Sequence, residues 1–322
     1  MAVTGRSRFV HRAYLFRMTL TPTRVRYIKL GRGGSWEKEC LESGIIRIGF
    51  GSAQGRRFEL CRSGRWDDLL ESFIAEGRDK GTANRFSNEL RVFFEDDGSI
   101  LWITFVGERL YWGMVGRDRP APHADANGVW RPIRGGWRCT DLNGEQLTKD
   151  RLSGALTKLA AYRGTSCDVD VSGYVIRRVN GEKIPEVERA IAASNEMKAA
   201  AVQLMKLLGP RDFELLVDLV FTTSGWRRVG VVGKSQKTLD LDLILLSTRE
   251  RAFVQVKSKT STAELDEYVA KIEGGPYDRM FYVFHSGEAE TDDPRVTVIG
   301  PEELADLVME AGLISWLIRK AS

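Results

Sequence analysis

Two neighbouring stretches decide the fold of the last third of the chain: Thr238-Leu-Asp-Leu-Asp-Leu-Ile-Leu-Leu246 and, after a polar turn over residues 247–251, Ala252-Phe-Val-Gln-Val-Lys257. Apolar runs of this length joined by a short turn predict an antiparallel pair of strands. Because side chains alternate along a strand, Gln255 and Lys257 share one face, and hairpin pairing can bring Asp242 beside them. The sequence therefore predicts three polar side chains that converge on an otherwise apolar sheet.

A carboxylate and an ammonium on such apolar strands are costly to bury unless they are paired or bind a metal. A carboxylate together with an amide oxygen can hold Mg²⁺, which keeps several waters and bridges to a substrate phosphate. A nearby lysine can orient a water and offset the charge that develops on phosphorus. The chemistry indicated is phosphodiester hydrolysis. Taken alone, the same residues also fit a partly buried ion pair between Asp242 and Lys257.

Residues upstream of the two strands extend the pattern. Phe213-Glu214-Leu-Leu-Val217 places a carboxylate on a predicted helix, and Gly225-Trp226 leads from that helix into the first predicted strand. Together with Asp242, and with Gln255 two residues before Lys257, they closely resemble the catalytic domain of the Mrr-like restriction endonucleases, a branch of the PD-(D/E)XK superfamily.

This resemblance, which extends over residues 205–315, implies a role for four residues and a cofactor. Asp242 matches the metal-binding aspartate, Gln255 the position that Glu or Asp holds elsewhere in the superfamily, and Lys257 the catalytic lysine. Glu214 matches the helix acid that supports the metal, so the expected ligands of Mg²⁺ are Asp242, Gln255 and Glu214. A neutral Gln255 is compatible with one Mg²⁺ and leaves two-metal chemistry open.

A second aspartate lies close to the first. The family often has a glycine-rich approach to its aspartate, whereas this chain has Gly233-Lys-Ser-Gln-Lys-Thr-Leu-Asp240, so Asp240 could share the role. We prefer Asp242 because it directly precedes the apolar run Leu243 to Leu246.

The patterning of the 322 residues predicts two domains. The expected division is a basic extension over 1–17, a nucleic-acid or modification reader over 18–184, a helical connector over 185–209 and an endonuclease domain over 210–322. The reader is predicted to be mixed α+β and β-rich, with helices at Trp66–Ala75 and Leu147–Tyr162. The stretches that carry a resemblance are Arg24-Val-Arg-Tyr-Ile-Lys-Leu-Gly31, Leu101-Trp-Ile-Thr-Phe105 and the segment from Gly136-Trp-Arg138 to Tyr162-Arg-Gly-Thr165. They resemble the N-terminal sensor domains fused to such nucleases, some of which are PUA-like.

The endonuclease domain is predicted to be an α/β sheet covered by helices, an α/β PD-(D/E)XK core. Its expected elements are a helix at 211–222, strands near 227–232, 238–246 and 252–258, a helix at 262–273, strands at 280–284 and 296–299, and a helix at 301–311.

Positive charge is concentrated in the front half. Residues 1–184 carry 31 Lys and Arg against 22 Asp and Glu, whereas residues 185–322 carry 17 against 22. A basic domain suits DNA, because neutralised phosphates release counterions; an ordinary basic surface is the alternative.

Six of the eight tryptophans precede residue 138, and aromatic rings can hold an extruded base. The candidate nucleic-acid-binding residues are Trp112, Trp130, Trp137, Arg228, Lys234 and Lys237.

Other classes of protein are disfavoured. The 4 cysteines form no C-x-x-C pair and the 3 histidines are scattered, which argues against zinc sites and a disulfide framework. No apolar run approaches the roughly 20 residues that span a bilayer. The basic N-terminus lacks the apolar stretch of a secretory signal. We therefore expect a cytoplasmic protein without a membrane partner.

The sequence thus predicts a Mg²⁺-dependent DNA endonuclease, a hydrolase of restriction or phage-defence type that its front domain directs to modified DNA. Two alternatives stay open: a nuclease gated by a small ligand or nucleotide signal, and a non-catalytic DNA-binding protein with a decayed nuclease fold. The recognised base, the cleavage position and the oligomeric state, including a homodimer, are left open by the sequence.

Overall fold

A computed structural model describes residues 19–50, 55–125, 127–229, 240–272 and 276–322. The protein is mixed α/β with several sheets, and it divides into two compact units, Met1–Lys183 and Ile184–Ser322. Each unit has its own clusters of buried apolar side chains. No helix within the described ranges is long and apolar enough to cross a membrane.

The first unit is built on two sheets with helices around them. Its elements are β1 (Arg24–Ile28), α1 (Glu37–Ser43), β2 (Ile45–Ile48), α2 (Gly55–Arg62), α3 (Trp66–Ala75), α4 (Lys80–Glu95), β3 (Ile100–Val106), β4 (Arg109–Gly113), β5 (Ala121–Pro122), β6 (Val129–Pro132), α5 (Gly154–Thr157), β7 (Ser166–Asp168) and α6 (Ser172–Asn180). The strand order is β4-β3-β1-β7 in one sheet and β2-β6-β5 in the other. β1 is parallel to β3, and the other neighbouring strands are antiparallel.

The four-stranded sheet is buried on both faces. Trp102 of β3 packs against the cluster that contains α3 and α4, whereas its neighbours Leu101 and Ile103 pack into the cluster on the opposite face. Because successive side chains point to opposite faces, a strand covered on both sides is apolar at nearly every position. This explains why the central strand β3 is a nearly continuous apolar run in the sequence.

The sequence predicted two helices in the first unit. The one at Trp66–Ala75 is confirmed as α3, whereas α1, α2, α4 and α6 are additional helices. Helix α4 was not predicted, although Asp79 caps it by accepting a hydrogen bond from Thr82 N at 3.0 Å. The helix predicted over Leu147–Tyr162 is wrong, because only α5 is α-helical there and 3₁₀ turns flank it. Leu152 is extended, with φ −107° and ψ 151°. The leucines in this stretch therefore fill one core from a loop rather than from one helical face.

The second unit is a five-stranded mixed sheet covered by helices. Its elements are α7 (Pro185–Leu207), α8 (Pro210–Thr223), β8 (Trp226–Arg228), β9 (Leu241–Leu245), β10 (Glu250–Lys257), α9 (Thr262–Ile272), β11 (Arg279–Phe284), β12 (Val296–Ile299), α10 (Pro301–Glu310) and α11 (Ile314–Ala321). The strand order is β12-β11-β10-β9-β8. β10, β11 and β12 are parallel, whereas β8, β9 and β10 are antiparallel. Within the described residues the predicted succession of helices and strands is confirmed, and α11 is an additional helix. Positions 230–232, 238, 239 and 273 of the predicted elements lie outside the described residues.

The predicted connector is helical and falls within the second unit, against which its C-terminal part packs. Val202 and Met205 of α7 are buried in the same cluster as side chains of α8 and α10. Lys198 Nζ forms an ion pair with Asp306 Oδ2 at 2.6 Å. The last turns of α7 are therefore a packed part of the second unit, not a free linker.

A buried carboxylate ties α4 to the sheet of the first unit. Glu89 is 4% exposed, and its Oε2 accepts hydrogen bonds from Ser166 N at 3.0 Å and Ser166 Oγ at 3.3 Å. Burial raises the pKa of Glu89 from 4.5 to about 7, against the opposing effects of Ser166 and Arg26. Because the folded state holds this proton more tightly than the unfolded state, Glu89 destabilises the fold progressively as pH rises from 4.5 to about 7.

We expect Glu89→Gln to remove this pH dependence. Because the amide cannot ionise, the variant should gain stability relative to wild type between about pH 5 and about pH 8, by on the order of 3 kcal/mol at most. Urea unfolding at the two pH values measures the gain, with Glu95→Gln, an exposed position on the same helix, as the control. A stability difference between Glu89→Gln and wild type that is the same at both pH values would contradict the prediction.

Candidate functional site

The predicted hairpin is present, and its register decides which aspartate meets Gln255. β9 pairs with β10 so that Leu241 is opposite Val254 and Asp242 is opposite Phe253. Asp240, which directly precedes β9, is therefore brought next to Gln255. The sequence prediction placed the turn over residues 247–251, but β10 already begins at Glu250. The chain reverses through Arg249, which has a left-handed conformation with φ 65°, so the two strands pair in a different register.

The carboxylate of Asp240 is held by β10. Its Oδ2 accepts a hydrogen bond from Gln255 Nε2 at 2.5 Å and another from Val256 N at 2.7 Å. Burial raises the pKa of Asp240, while the hydrogen bond from Val256 and the charge of Lys257 act in the opposite direction. The structure thus brings together Asp240, Gln255 and Lys257.

Asp242, the preferred aspartate in the sequence, has different partners. Its Oδ1 and Oδ2 accept hydrogen bonds from Arg251 Nη2 at 3.2 and 3.0 Å. The Arg251 guanidinium also lies over the ring of Tyr277, 5.4 Å from its centroid. Asp242 is therefore engaged in a separate ion pair, two residues further along the chain, and the geometry favours Asp240 as the aspartate beside Gln255.

Lys257 is held by two side chains of α9. Its Nζ forms an ion pair with Glu264 Oε1 at 2.7 Å and lies 5.0 Å from the ring centroid of Tyr268. Burial lowers the pKa of Lys257, but the hydrogen bonds to Glu264 and Tyr268 outweigh it, so the pKa is raised well above its usual value. Lys257 is therefore a fixed cation. The sequence did not identify Glu264 because its approach depends on the chain path between β10 and α9.

Glu214 reaches the same place from α8. Glu214 and Asp240 both line a cleft of about 600 Å³, together with Arg211, Arg228 and Lys320. Burial and the nearby charge of Asp240 raise the pKa of Glu214. Three of the predicted residues, Glu214, Gln255 and Lys257, are thus gathered around Asp240 rather than around Asp242.

The amide oxygen of Gln255 is the least satisfied polar atom in this arrangement. Gln255 is 5% exposed, and its Oε1 is buried without a hydrogen-bond partner. The neighbouring carboxylate needs a donor, which fixes the amide with Nε2 towards Asp240 and leaves Oε1 turned away from it. A buried acceptor without a partner costs free energy, so this oxygen is a candidate ligand for a cation.

The donor set for Mg²⁺ would comprise two acids and one amide. Among the described residues, no three His, Cys, Asp or Glu side chains form a group that could hold a metal ion. Asp240, Glu214 and Gln255 are not such a group, because the third donor is an amide oxygen. Carboxylate and amide oxygens are nevertheless ligands that Mg²⁺ accepts alongside several waters, so the residues present fit this ion.

Of the basic candidates, Arg228 is beside the site. Its Nη2 donates a hydrogen bond to the main-chain oxygen of Asp240 at 3.2 Å, and its Nη1 lies 3.6 Å from Asp218 Oδ2. Lys234 and Lys237 lie outside the described residues. Arg228 therefore connects β8 to the start of β9, in addition to lining the cleft.

The tryptophans predicted to form a pocket in the first unit are mostly structural. Trp112 is 4% exposed, and its Nε1 donates a hydrogen bond to Thr140 O at 2.7 Å. Trp137 Nε1 donates to Ile45 O at 2.8 Å, and Trp130 and Trp137 both pack against a core cluster. The pocket prediction for Trp112 is wrong, because alternation along β4 turns this side chain into the core.

The cysteines agree with the absence of a disulfide framework. All four are free; Cys40 and Cys61 are buried, and Cys139 and Cys167 are partly exposed.

Comparisons with protein-family models, with curated proteins and with solved structures found no match.

The cationic state of Lys257 can be tested chemically. Only a neutral amine reacts with acetic anhydride, so Lys257 should be acetylated slowly in the wild type. In Glu264→Gln, which loses the charged partner, acetylation should be several-fold to about tenfold faster, the change expected from losing up to about one unit of pKa. Mass spectrometry of the Lys257 peptide gives the rate, with the exposed Lys259 as the internal reference. Equal rates in both proteins would show that Glu264 does not hold the charge.

Proposed function

We propose that this protein is a Mg²⁺-dependent DNA endonuclease of the PD-(D/E)XK type, similar to the Mrr-like restriction endonucleases. The observation that carries the proposal is the arrangement at Gln255, whose Nε2 holds the carboxylate of Asp240 while its buried Oε1 has no partner. A metal ion beside the carboxylate would replace this hydrogen bond, and rotation of the amide would then turn Oε1 towards the ion. The aspartate that we assign to the site is Asp240, not Asp242.

Asp240, Glu214 and the Oε1 atom of Gln255 would hold the ion. When bound, Mg²⁺ supplies a more acidic bound water and offsets negative charge on the phosphate. The protein's own contribution is to hold these oxygens on β10, on α8 and directly before β9, elements whose packing fixes their positions. A site built on strands and helices is held more closely than one built on loops.

Lys257 stabilises charge rather than accepting a proton. Its contacts with Glu264 and Tyr268 keep it protonated, and an ammonium beside a reacting phosphate favours the more negative transition state. Glu264 is a positioning residue, because it acts through Lys257. Glu214, whose pKa is raised by burial and by Asp240, is suited to hold or exchange a proton on a nearby water.

Positive charge at the cleft would hold the DNA backbone. Arg228 and Lys320 line it and are paired with Asp218 and Asp212 in exposed or partly exposed ion pairs. Such pairs contribute little free energy, so phosphate groups can replace the carboxylates as partners. Arg211 adds a third cation.

The first unit would supply most of the affinity for DNA. It carries the excess of basic residues, whereas the half that holds the site is net acidic. A net acidic nuclease unit gains little from long-range attraction to phosphates. We therefore propose that the first unit directs the nuclease to DNA, including base-modified DNA, in a restriction or phage-defence role.

Single substitutions at the site should separate catalysis from folding. Asp240→Asn and Lys257→Met should each lower Mg²⁺-dependent plasmid cleavage by at least about a hundredfold, the scale of losing a metal ligand or a charge-stabilising group. Glu214→Gln should have a smaller effect, because an acid on α8 can act through a water that Mg²⁺ holds. Rates of plasmid nicking at saturating Mg²⁺ measure the loss.

Asp242→Asn is the matched control for Asp240→Asn. It makes the same chemical change two residues away, in a carboxylate that pairs with Arg251, and should keep cleavage within a few-fold of wild type. Wild-type cleavage by Asp240→Asn would refute the assignment. The absence of any Mg²⁺-dependent cleavage in the wild type, on unmodified, methylated, hydroxymethylated and glucosylated plasmids alike, would favour a non-catalytic DNA-binding protein.

A further inference from the structure

A cleft in the first unit, called here the Trp36 cleft, combines aromatic rings with positive charge. Its volume is about 380 Å³, and the residues that line it include Lys29, Arg32, Trp36, Phe50, Asn127 and Arg163. This volume lies in the range of small-ligand pockets. None of the residues assigned to the proposed nuclease site belongs to it.

The charge that lines the Trp36 cleft is of one sign. Among the described residues that line it, the charged ones are Lys29, Arg32 and Arg163, without an aspartate or a glutamate. Arg32 and Arg163 are exposed, while Lys29 Nζ donates a hydrogen bond to Tyr162 O at 2.5 Å. Two arginines at the rim of a cleft without acids form a site suited to an anion such as a phosphate.

A buried arginine fixes the ring of Trp36. The Arg47 guanidinium lies 4.2 Å from the ring centroid and Arg47 is 1% exposed. Its Nη1 donates to Glu39 Oε2 at 2.8 Å, and its Nη2 donates to Asp125. The plane of the indole is therefore set before any ligand arrives, which lowers the entropy cost of stacking a ligand on it.

The second aromatic residue of the cleft has an unusual backbone. Phe50 has a φ of 67°, in the left-handed region that side chains disfavour. Its ring stacks on Phe86 with the centroids 4.3 Å apart and the planes 29° from parallel. Strain of this kind persists where the surrounding packing imposes it, and it is concentrated at ligand sites.

We propose that the Trp36 cleft binds a nucleotide, with the base stacked on Trp36 beside Phe50 and the phosphate held by Arg32 and Arg163. A simple anion would use the arginines but not the rings, and an uncharged aromatic ligand would use the rings but not the arginines. Asn127 also lines the cleft, and an asparagine side-chain amide can offer both a donor and an acceptor to the edge of a base. The nucleotide is either free or one unit of a DNA strand, and binding does not depend on cleavage.

Calorimetric titration of the full-length Asp240→Asn protein tests this directly, because DNA remains intact during the measurement. The probes are the four deoxynucleoside 5′-monophosphates and inorganic phosphate. At least one monophosphate should bind about tenfold or more tightly than inorganic phosphate, the scale that base stacking contributes. Equal affinity for inorganic phosphate, or no binding of any nucleotide or DNA, would overturn the proposal.

Substitutions in the cleft locate the binding. The double variant Arg32→Gln, Arg163→Gln should lose at least about tenfold in affinity, since it removes charge-assisted contacts, and Trp36→Phe should lose several-fold. Arg109→Gln, at an exposed arginine of the same unit outside the cleft lining, should bind as the parent does. Parent-like affinity in the double variant would overturn the assignment to this cleft, and thermal unfolding checks that the variants are folded.

Two oligonucleotides distinguish the sources of the nucleotide. If the cleft takes a base from a strand, a short duplex with one unpaired thymidine should bind more tightly than the fully paired duplex. The double variant should lose this preference. Equal binding of the two duplexes, with tight binding of a monophosphate, identifies a free nucleotide. These are binding measurements on a cleavage-inactive protein. A negative result would therefore not contradict the proposed nuclease activity, and an absence of nuclease activity would not contradict nucleotide binding in the Trp36 cleft.

Discussion

In the second unit, the pairing of β9 with β10 depends on the carboxylate of Asp240, which directly precedes β9. Asp240 cannot be buried as a charge without donors, and β10 provides two of them, Gln255 Nε2 and Val256 N. These bonds hold the start of β9 against the end of β10, in the register that the strand pairing sets. A slip of one residue would turn Leu241 and Leu243 out of the core and Asp242 into it.

The polar residues around Asp240 tie together elements that are distant in sequence. Arg228 donates to the main-chain oxygen of Asp240 from β8, and Glu214 shares its cleft from α8. Lys257, next to Val256, is held in turn by Glu264 of α9. A substitution at one of these positions therefore changes the electrostatics of the others, which is why effects in this cluster are not expected to be additive.

In the first unit, Arg47 has a comparable role, because its contacts hold several segments of the chain together. Its guanidinium is buried, stacks on Trp36, and is satisfied by Glu39, Asp125 and the main-chain oxygen of Asn127. A buried charge is tolerated when its hydrogen bonds are complete. The same network that satisfies Arg47 holds two of the residues that line the Trp36 cleft, Trp36 and Asn127, so the packing of this unit and the shape of its cleft have one physical origin.

The sequence by itself determined the hairpin, the order of helices and strands in the second unit, and the polar residues Glu214, Gln255 and Lys257, because alternation and turn signals are local properties of a chain. It did not determine which aspartate meets Gln255, since register depends on how the chain turns near Arg249. Nor did it separate core tryptophans from a tryptophan that lines a cleft: the sequence prediction selected Trp112 and not Trp36, whereas the packing places Trp112 in a core cluster and Trp36 in the lining of the cleft. Burial and register are set by contacts between distant residues, and these only the tertiary structure decided.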